Sequence, residues 1–354
     1  MMSRLLNVGV VGVGTIGVDH LKTYMACRKA RVVAIADIKE DLVKSVASKY
    51  GIKRFFTDYR DLVALKDVDA VSVCTPPFAH ASITCDSAAA GKHVLCEKPM
   101  AMNAEEAKRM VEVCKGAGVK LGICHSRVRF NLAAEMARKY LSSGKLGTVY
   151  YARYSRFRRR GRPGLDILES SKWFLDSSKA GGGALADIGC YDIDLILYLL
   201  GSPQPWAVSA MTFRGVGTPP KLTTPYDVEE HASLFVRFRD GPVVTFETAW
   251  ASNMDHGEGV VLFGTRGGLK LNPFTFYTEQ GGKQVAISLE ISGKPPGDFI
   301  NDFVTACLKD RAPKTPGEDG LKVMQIISMA YASAKLGREV TLTELEKFHE
   351  KGAT

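Results

Sequence analysis

The sequence predicts an α/β chain: an N-terminal doubly wound parallel sheet, followed by an α+β domain on a large, mostly antiparallel sheet. Three observations carry this. Short, apolar, β-branched runs end near Val11, Ala36, Thr75, Cys96 and Ile123. Helix-period segments of about 10–15 residues fall between most of them. After residue 145 or so, longer strand-like segments divided by Gly and Pro turns take over. A length of 354 residues exceeds one core and suits two domains, expected at 1–126 and 127–354.

In the first domain, the runs at 8–11 and 32–36 are continuously apolar, as parallel strands buried on both faces require. In the second, strands are predicted over 148–157, 206–214, 232–239, 243–250, 259–263 and 269–271, with a turn at Arg239-Asp240-Gly241-Pro242. One helix over 184–200 interrupts them and stops at Gly201 and Pro203. Two helices, 298–309 and 318–336, close the chain.

Composition narrows the class. No apolar run reaches the roughly 18 residues of a membrane span. Met1-Met2-Ser3-Arg4-Leu5-Leu6 enters a strand-like run without the features of a signal peptide. The expectation is a cytoplasmic protein with no membrane partner. None of the eight cysteines forms C-x-x-C or zinc-finger spacing, so they read as small buried hydrophobes and no metal site is expected. Much of the formal +9 charge crowds into Arg156, Arg158, Arg159, Arg160 and Arg162. That run suits an anionic substrate group, a subunit contact or a solvated loop. No nucleic-acid motif accompanies it, so no nucleic-acid partner is expected.

The first strand runs into Gly12-Val13-Gly14-Thr15-Ile16-Gly17, a G-x-G-x-x-G between a strand and a helix. Gly12 permits the tight turn, Gly14 lets backbone approach a pyrophosphate, and Gly17 lets helix pack on strand. Thr15 and Ile16 open the helix whose free N–H groups face the phosphates. Asp37 ends the second strand, 20 residues after Gly17. A carboxylate there accepts ribose hydroxyls and repels a 2′-phosphate. Ile38 follows rather than arginine, which favours NAD; Lys39 softens the exclusion and leaves NADP as the alternative.

Ligands bind at the carboxyl ends of parallel strands. Two such ends read Cys74-Thr75-Pro76-Pro77-Phe78-Ala79-His80 and Cys96-Glu97-Lys98-Pro99. Thr75, Pro76, Glu97 and Lys98 are therefore placed beside the cofactor. With the glycine loop, the run Ala180-Gly181-Gly182-Gly183-Ala184-Leu185-Ala186-Asp187-Ile188-Gly189 and Gly317-Glu318-Asp319-Gly320-Leu321, the chain resembles the glucose-fructose oxidoreductase/inositol dehydrogenase/rhizopine-catabolism (Gfo/Idh/MocA) family over nearly its whole length. The resemblance implies that His80 lies near the cofactor; packing or capping a helix is the alternative. The resemblance implies that Lys98 contacts the reacting hydroxyl or carbonyl, before a cis Lys98-Pro99 bond. It implies that Asp187 and the residue four later complete the catalytic set. Many relatives carry histidine at that later position; this chain carries Tyr191, as the glucose-fructose oxidoreductase branch does.

Spacing supports the grouping independently. Asp187, Tyr191 and Asp194 lie at i, i+4 and i+7, one face of a regular helix. Gly189 within that helix suggests close approach by cofactor, substrate or another backbone. The expected reaction is reversible hydride transfer between a sugar or cyclitol carbon and the nicotinamide, with Lys98 or Tyr191 moving the proton and Asp187 orienting them. Two rivals keep the same cofactor site: a redox-neutral NAD-dependent glycosidase, and a non-enzymatic cofactor-binding regulator. Arg127 is a candidate substrate contact, with His125 and Arg129 beside it. Trp173, after Lys172, stacks on a sugar ring or fills the core. His231 reads as structural. The second-domain sheet would leave one apolar face uncovered, so a homodimer or homotetramer is expected.

Overall fold

The computed structural model describes residues 4–217, 225–295 and 297–350. Residues 1–3 of the N-terminal reading lie outside the described residues. Contacts divide the chain into two compact units: Met1–Arg127 with Gly297–Leu321, and Val128–Pro296 with Lys322–Thr354.

The first unit alternates strand and helix: β1 Leu6–Val11, α1 Thr15–Ala26, β2 Ala30–Ala36, α2 Glu40–Tyr50, β3 Phe55–Phe56, α3 Tyr59–Val63, β4 Ala70–Val73, α4 His80–Ala89, β5 His93–Cys96, α5 Ala104–Gly116 and β6 Leu121–Ile123. Among the described residues its sheet has six strands, all parallel, in the order β3-β2-β1-β4-β5-β6. The order reverses between β1 and β4, which sets the crevice of a doubly wound sheet at their carboxyl ends. β3 has two residues and gives no periodicity to read. α5 starts where the Asn103 side chain accepts from the Glu106 N–H, and α2 stops at Gly51 in the left-handed region.

The second unit contains α6 Leu132–Ser142, β7 Val149–Phe157, α7 Ser177–Ala180, α8 Cys190–Leu200, β8 Pro205–Phe213, β9 His231–Phe238, β10 Val243–Ala249, β11 Gly259–Gly264, β12 Gly268–Leu271, β13 Phe274–Gln280 and β14 Lys283–Ser288. The tail adds α9 Phe299–Leu308, α10 Gly317–Leu336, β15 Val340–Thr341 and α11 Leu342–Glu350. Among the described residues the second sheet has nine strands in the order β14-β13-β12-β11-β7-β10-β9-β8-β15. Every pairing in it is antiparallel except β7 with β10. Burial alternates along β9 and β10: Leu234, Val236, Val244 and Phe246 are buried, while Phe235 stands on the open face. Register aligns Phe235 with Ser209 and Thr245, and Met211 with Ser233, so these share that open face.

Three features depart from the sequence reading. The chain does not divide by a single cut after residue 126, because the segment 297–321 belongs with the first unit. Ile300, Phe303 and Val304 of α9 enter the core that holds Val8, Val10, Leu21 and Tyr24. The same segment closes the edge of β6, where the Ile123 N–H donates to the Thr315 carbonyl at 3.0 Å. The helix expected over 184–200 begins with a π turn at Leu185–Gly189 and becomes α-helical only at Cys190. Finally, β13 and β14 form a hairpin turned by Gly281 and Gly282, both at positive φ; that Gly-Gly pair was the readable signal.

If α9 is core of the first unit, Phe303→Ala should destabilise it by about 3–5 kcal/mol. Urea unfolding followed by circular dichroism measures this, and a loss below about 1 kcal/mol would contradict the assignment.

Candidate active site

The glycine loop follows β1 at the sheet's crevice. Gly12 has φ +84°, and a Cβ there would lie 2.7 Å from the Cys74 carbonyl oxygen. A Cβ on Gly17 would lie 1.8 Å from the Gly12 oxygen, so the helix reaches the strand only through glycine. Gly14 faces open space. α1 begins at Thr15, and its N-cap Gly14 brings no side-chain cap and its first turn no acidic residue, so the helix itself supplies nothing to offset its positive end. Asp37 accepts from the Val13 N–H at 2.9 Å and the Lys39 N–H at 3.0 Å, which ties the end of β2 to the loop. The Thr75 hydroxyl is buried with no partner among the described residues. Open space at Gly14, a bare helix terminus and an orphaned hydroxyl fit a dinucleotide pyrophosphate and its neighbouring groups.

Lys98, half-buried, follows β5, and the Lys98-Pro99 bond is cis as the family resemblance implies. Its amide donates to Glu97 Oε2 at 3.0 Å. Glu97 Oε1 faces His20 Nε2 at 2.9 Å and carries the Arg127 guanidinium. The other ring nitrogen of His20 meets the Ser72 hydroxyl at 2.8 Å. Arg127 also lies over the Phe299 ring and donates to the Cys124 carbonyl. Arg127, expected to face substrate, thus has its guanidinium engaged within the first unit. Burial would raise the Glu97 pKa, but the His20 hydrogen bond, the Arg127 charge and the Lys98 amide outweigh it and hold it well below the usual range. Burial likewise opposes a charge on His20, yet Cys74, Cys124 and Glu97 hold its pKa well above the ordinary value.

Ligating atoms of His20, Glu97 and Cys124 lie within 4.8 Å of one another, a spacing that a metal ion could use. Arg127 already brings positive charge to that carboxylate, and burial pushes the Cys124 thiol up to about 12. The trio is therefore assigned to the ion-pair network rather than to a metal. His20 escaped the sequence reading. Its signal was a histidine on the buried face of α1, between Gly17 and Leu21.

His80 is fully buried, with its ring nitrogens 2.8 Å from the Thr75 and Pro99 carbonyls. Burial lowers its pKa. A neutral ring has one N–H and donates to one of the two carbonyls at a time. His80 thus ties the Thr75 turn to the Lys98-Pro99 turn by its packing.

In the second unit, the glycine run leads into the π turn carrying Asp187. Glu229 accepts the N–H groups of Gly183 at 2.9 Å and Leu185 at 2.8 Å, capping that turn. Side chains at Gly182 and Gly183 would collide with the Tyr331 hydroxyl and the Glu229 carbonyl, at 2.0 and 1.9 Å. Asp187 is buried and accepts from Trp250 Nε1 at 2.9 Å. Trp250 is fully buried at the end of a strand run, and its mark in the sequence is only that a buried indole N–H needs an acceptor. Tyr191 is half-buried at the second position of α8. Asp194 does not share the Asp187 partner: it forms a fully buried bidentate pair with Arg129, at 2.8 and 2.5 Å. The π turn breaks the 3.6-residue period on which the one-face projection relied. Gly189 meets the Leu185 and Thr248 side chains, at 2.9 and 3.3 Å for an added Cβ, so its role is packing.

Two family models match: the Gfo/Idh/MocA oxidoreductase family, NAD-binding Rossmann fold, over residues 6–125, and the Gfo/Idh/MocA C-terminal domain over 134–270. The 1,5-anhydro-D-fructose reductase of Ensifer adhaerens is 30% identical, across 88% of this chain and 91% of its own. The chain belongs to the Gfo/Idh/MocA oxidoreductase family. Its first unit is an NAD-binding Rossmann domain, and the protein is an oxidoreductase acting on CH–OH. The D-glucoside 3-dehydrogenase of Escherichia coli K12 is 27% identical, across 97% of this chain and 99% of its own. A solved aldose-aldose oxidoreductase from Caulobacter crescentus superposes with a TM-score of 0.78 at 27% identity, across 96% of this chain and 100% of that one. Levoglucosan dehydrogenase complexed with NADH shares the fold, with a TM-score of 0.82 at 24% identity, across 96% of this chain and 99% of that one.

In this Gfo/Idh/MocA protein the arginine run is engaged internally. Arg156 pairs with Asp192 at 2.5 Å, and Arg159 with Asp255 at 3.3 Å. Arg162 pairs with Asp166 and Glu230. Arg158 and Arg160 donate to the Gly161 and Ser252 carbonyls. Asp192, which no sequence signal marked, is buried; burial pushes its pKa up to about 7 against the pull of Arg156 and Tyr154. Trp173 is half-exposed and stacked on Phe174 at 3.8 Å, and Lys172 donates to the Gly164 carbonyl.

Glu97 yields a pH prediction. Its folded pKa lies below its unfolded value, so its contribution is present above the ordinary carboxylate range and lost as pH falls through that range toward the folded value. Glu97→Gln should cost about 3–5 kcal/mol near neutral pH, by stranding buried positive charge. It should also flatten the acid limb of a urea-midpoint-versus-pH curve. An unchanged acid limb would show that Glu97 is not held ionised.

Proposed function

We propose that the protein oxidises or reduces a secondary alcohol or ketone on a ring-shaped polyol, a sugar, anhydrosugar or cyclitol, using NAD. The observation that carries this reading is the Glu97-clamped Lys98 turn, tied through His80 to the Thr75 turn next to Gly12. The named activities of the relatives, on D-glucosides, levoglucosan, 1,5-anhydro-D-fructose and inositol, support the substrate class.

Bound NAD supplies the hydride acceptor. The residues proposed to hold it are Gly12, Gly14, Thr15, Ile16, Gly17, Asp37, Thr75 and Pro76. Lys98 and Tyr191 manage the proton: one takes it from the hydroxyl as the alcohol is oxidised and returns it on reduction. Asp187, oriented by Trp250, balances positive charge and fixes the substrate. Glu97 holds the Lys98 backbone through its amide, and Arg127 holds Glu97. Trp173 offers an aromatic face to a sugar ring.

We also propose a homo-oligomer, dimer or tetramer, formed through the open face of the second sheet. Met211 and Phe213 on β8 are about half exposed there, and Phe235 on neighbouring β9, paired with Ser209 and Thr245, adds a third exposed apolar side chain. Among the described residues no helix is long and apolar enough to cross a membrane. All eight cysteines are free and seven are buried, which suits the reducing cytoplasm.

NADH formation across a panel of D-glucosides, levoglucosan, cyclitols and sugar acids tests the reaction, with ketones assayed in reverse. Lys98→Ala and Tyr191→Phe should each lower kcat by about 10²–10⁴ while NAD still binds. Full activity in either variant would remove that residue from the catalytic set. Size-exclusion chromatography with light scattering should show an oligomer that Phe213→Glu/Phe235→Glu dissociates; a wild-type monomer at micromolar concentration would sink the interface.

A further inference from the structure

We infer that the first unit carries a second anion-binding site, for a small molecule bearing two or more phosphate groups, at the amino-terminal ends of its parallel strands. A cavity of about 520 Å³ opens there, within the size range of ligand sites. Among the described residues, five cations line it, Arg4, Lys29, Lys66, Lys92 and Lys309, against one carboxylate, Asp69. Asp69 is already engaged: it accepts from Arg4 at 2.6 Å and from the Asn7 N–H at 2.9 Å. Asp310, the neighbour of Lys309, is paired with Lys120 at 2.8 Å. The cavity therefore keeps a local excess of positive charge that its own walls do not neutralise.

Lys92 makes this more than a charged surface. It is 7% exposed, and its ammonium donates to the Leu65 carbonyl, a neutral acceptor, at 2.8 Å. An ammonium removed from water is stabilised by a counter-charge, and among the described residues the lining offers it none beyond the engaged Asp69. His93 adds a donor. Its Nδ1 accepts from the Lys120 N–H at 3.0 Å, which places the proton of a neutral ring on Nε2. Leu6, Val68 and Leu308 complete the lining with apolar walls, which concentrate the field of the cations.

The charge comes from four separate regions of the chain: the N-terminal approach to β1, the turn after α1, the segment from α3 to β5, and the end of α9. Converging lysines act as point charges for phosphate oxygens, and several of them suit a multivalent anion. The location separates this site from the cofactor. Leu6 begins β1 and the glycine loop follows its last residue, Val11. A strand of that length spans about 20 Å. The arginine run, by contrast, is engaged by its own carboxylates and carbonyls.

Calorimetric titration of pyrophosphate into protein saturated with NADH, at low ionic strength, tests the site with the glycine loop filled. One pyrophosphate per chain should still bind, more weakly as salt rises. Lys29→Glu/Lys66→Glu changes two exposed side chains and should weaken that binding at least ten-fold, with NADH affinity and melting temperature unchanged. No binding by the wild type at millimolar pyrophosphate, or equal binding by the variant, would overturn the proposal. If NADH itself fails to bind, the cofactor reading fails separately. Stoichiometry of pyrophosphate on wild type and variant then decides this site alone.

Discussion

Glu97 sits out of water with His20 and Arg127 on one carboxylate oxygen and the Lys98 amide on the other. A carboxylate in that position stays ionised only because its partners overcome the cost of burial. The network is also mechanical. His20 belongs to the helix that starts at the glycine loop, Ser72 to β4, and Lys98 to the turn after β5. One buried ion pair therefore locks the phosphate end of the crevice to the turn that presents the lysine. Hydrophobic replacements would hold the core together, but they would not fix the direction of the Lys98 backbone.

The second unit solves a similar problem with different parts. Asp187 must be presented from the start of a buried helix, where N–H groups lack partners. Glu229 supplies the acceptors, and Gly182 and Gly183 allow Tyr331 and the Glu229 backbone to come within contact distance. Trp250 then sets the carboxylate's direction with its single N–H. On the π turn Asp187 meets Trp250, while Asp194, further along the helix, is held by Arg129.

Charge is distributed by the same logic of pairing. The five arginines between 156 and 162 look in sequence like a basic patch, yet carboxylates remote in sequence neutralise several of them. The uncompensated charge lies instead among lysines scattered from residue 29 to residue 309. A linear count finds density along the chain. Only the fold finds density in space.

The parallel sheet, the glycine loop, the Lys98 turn and the run leading to Asp187 are legible in the amino-acid sequence alone. Each of these is local: a strand, a turn or a helix start must be encoded by adjacent residues, because backbone conformation and glycine clearance act over a few positions. Period and spacing are enough to read them. Which side chains serve these elements emerges only once the chain is folded. His20, Trp250, Glu229 and Asp192 carry no local mark, because their roles arise from partners tens of residues away. The same holds for α9, whose apolar face reads as a helix but does not say which core it joins. A buried polar group must find a partner, and the sequence states that need without naming the partner.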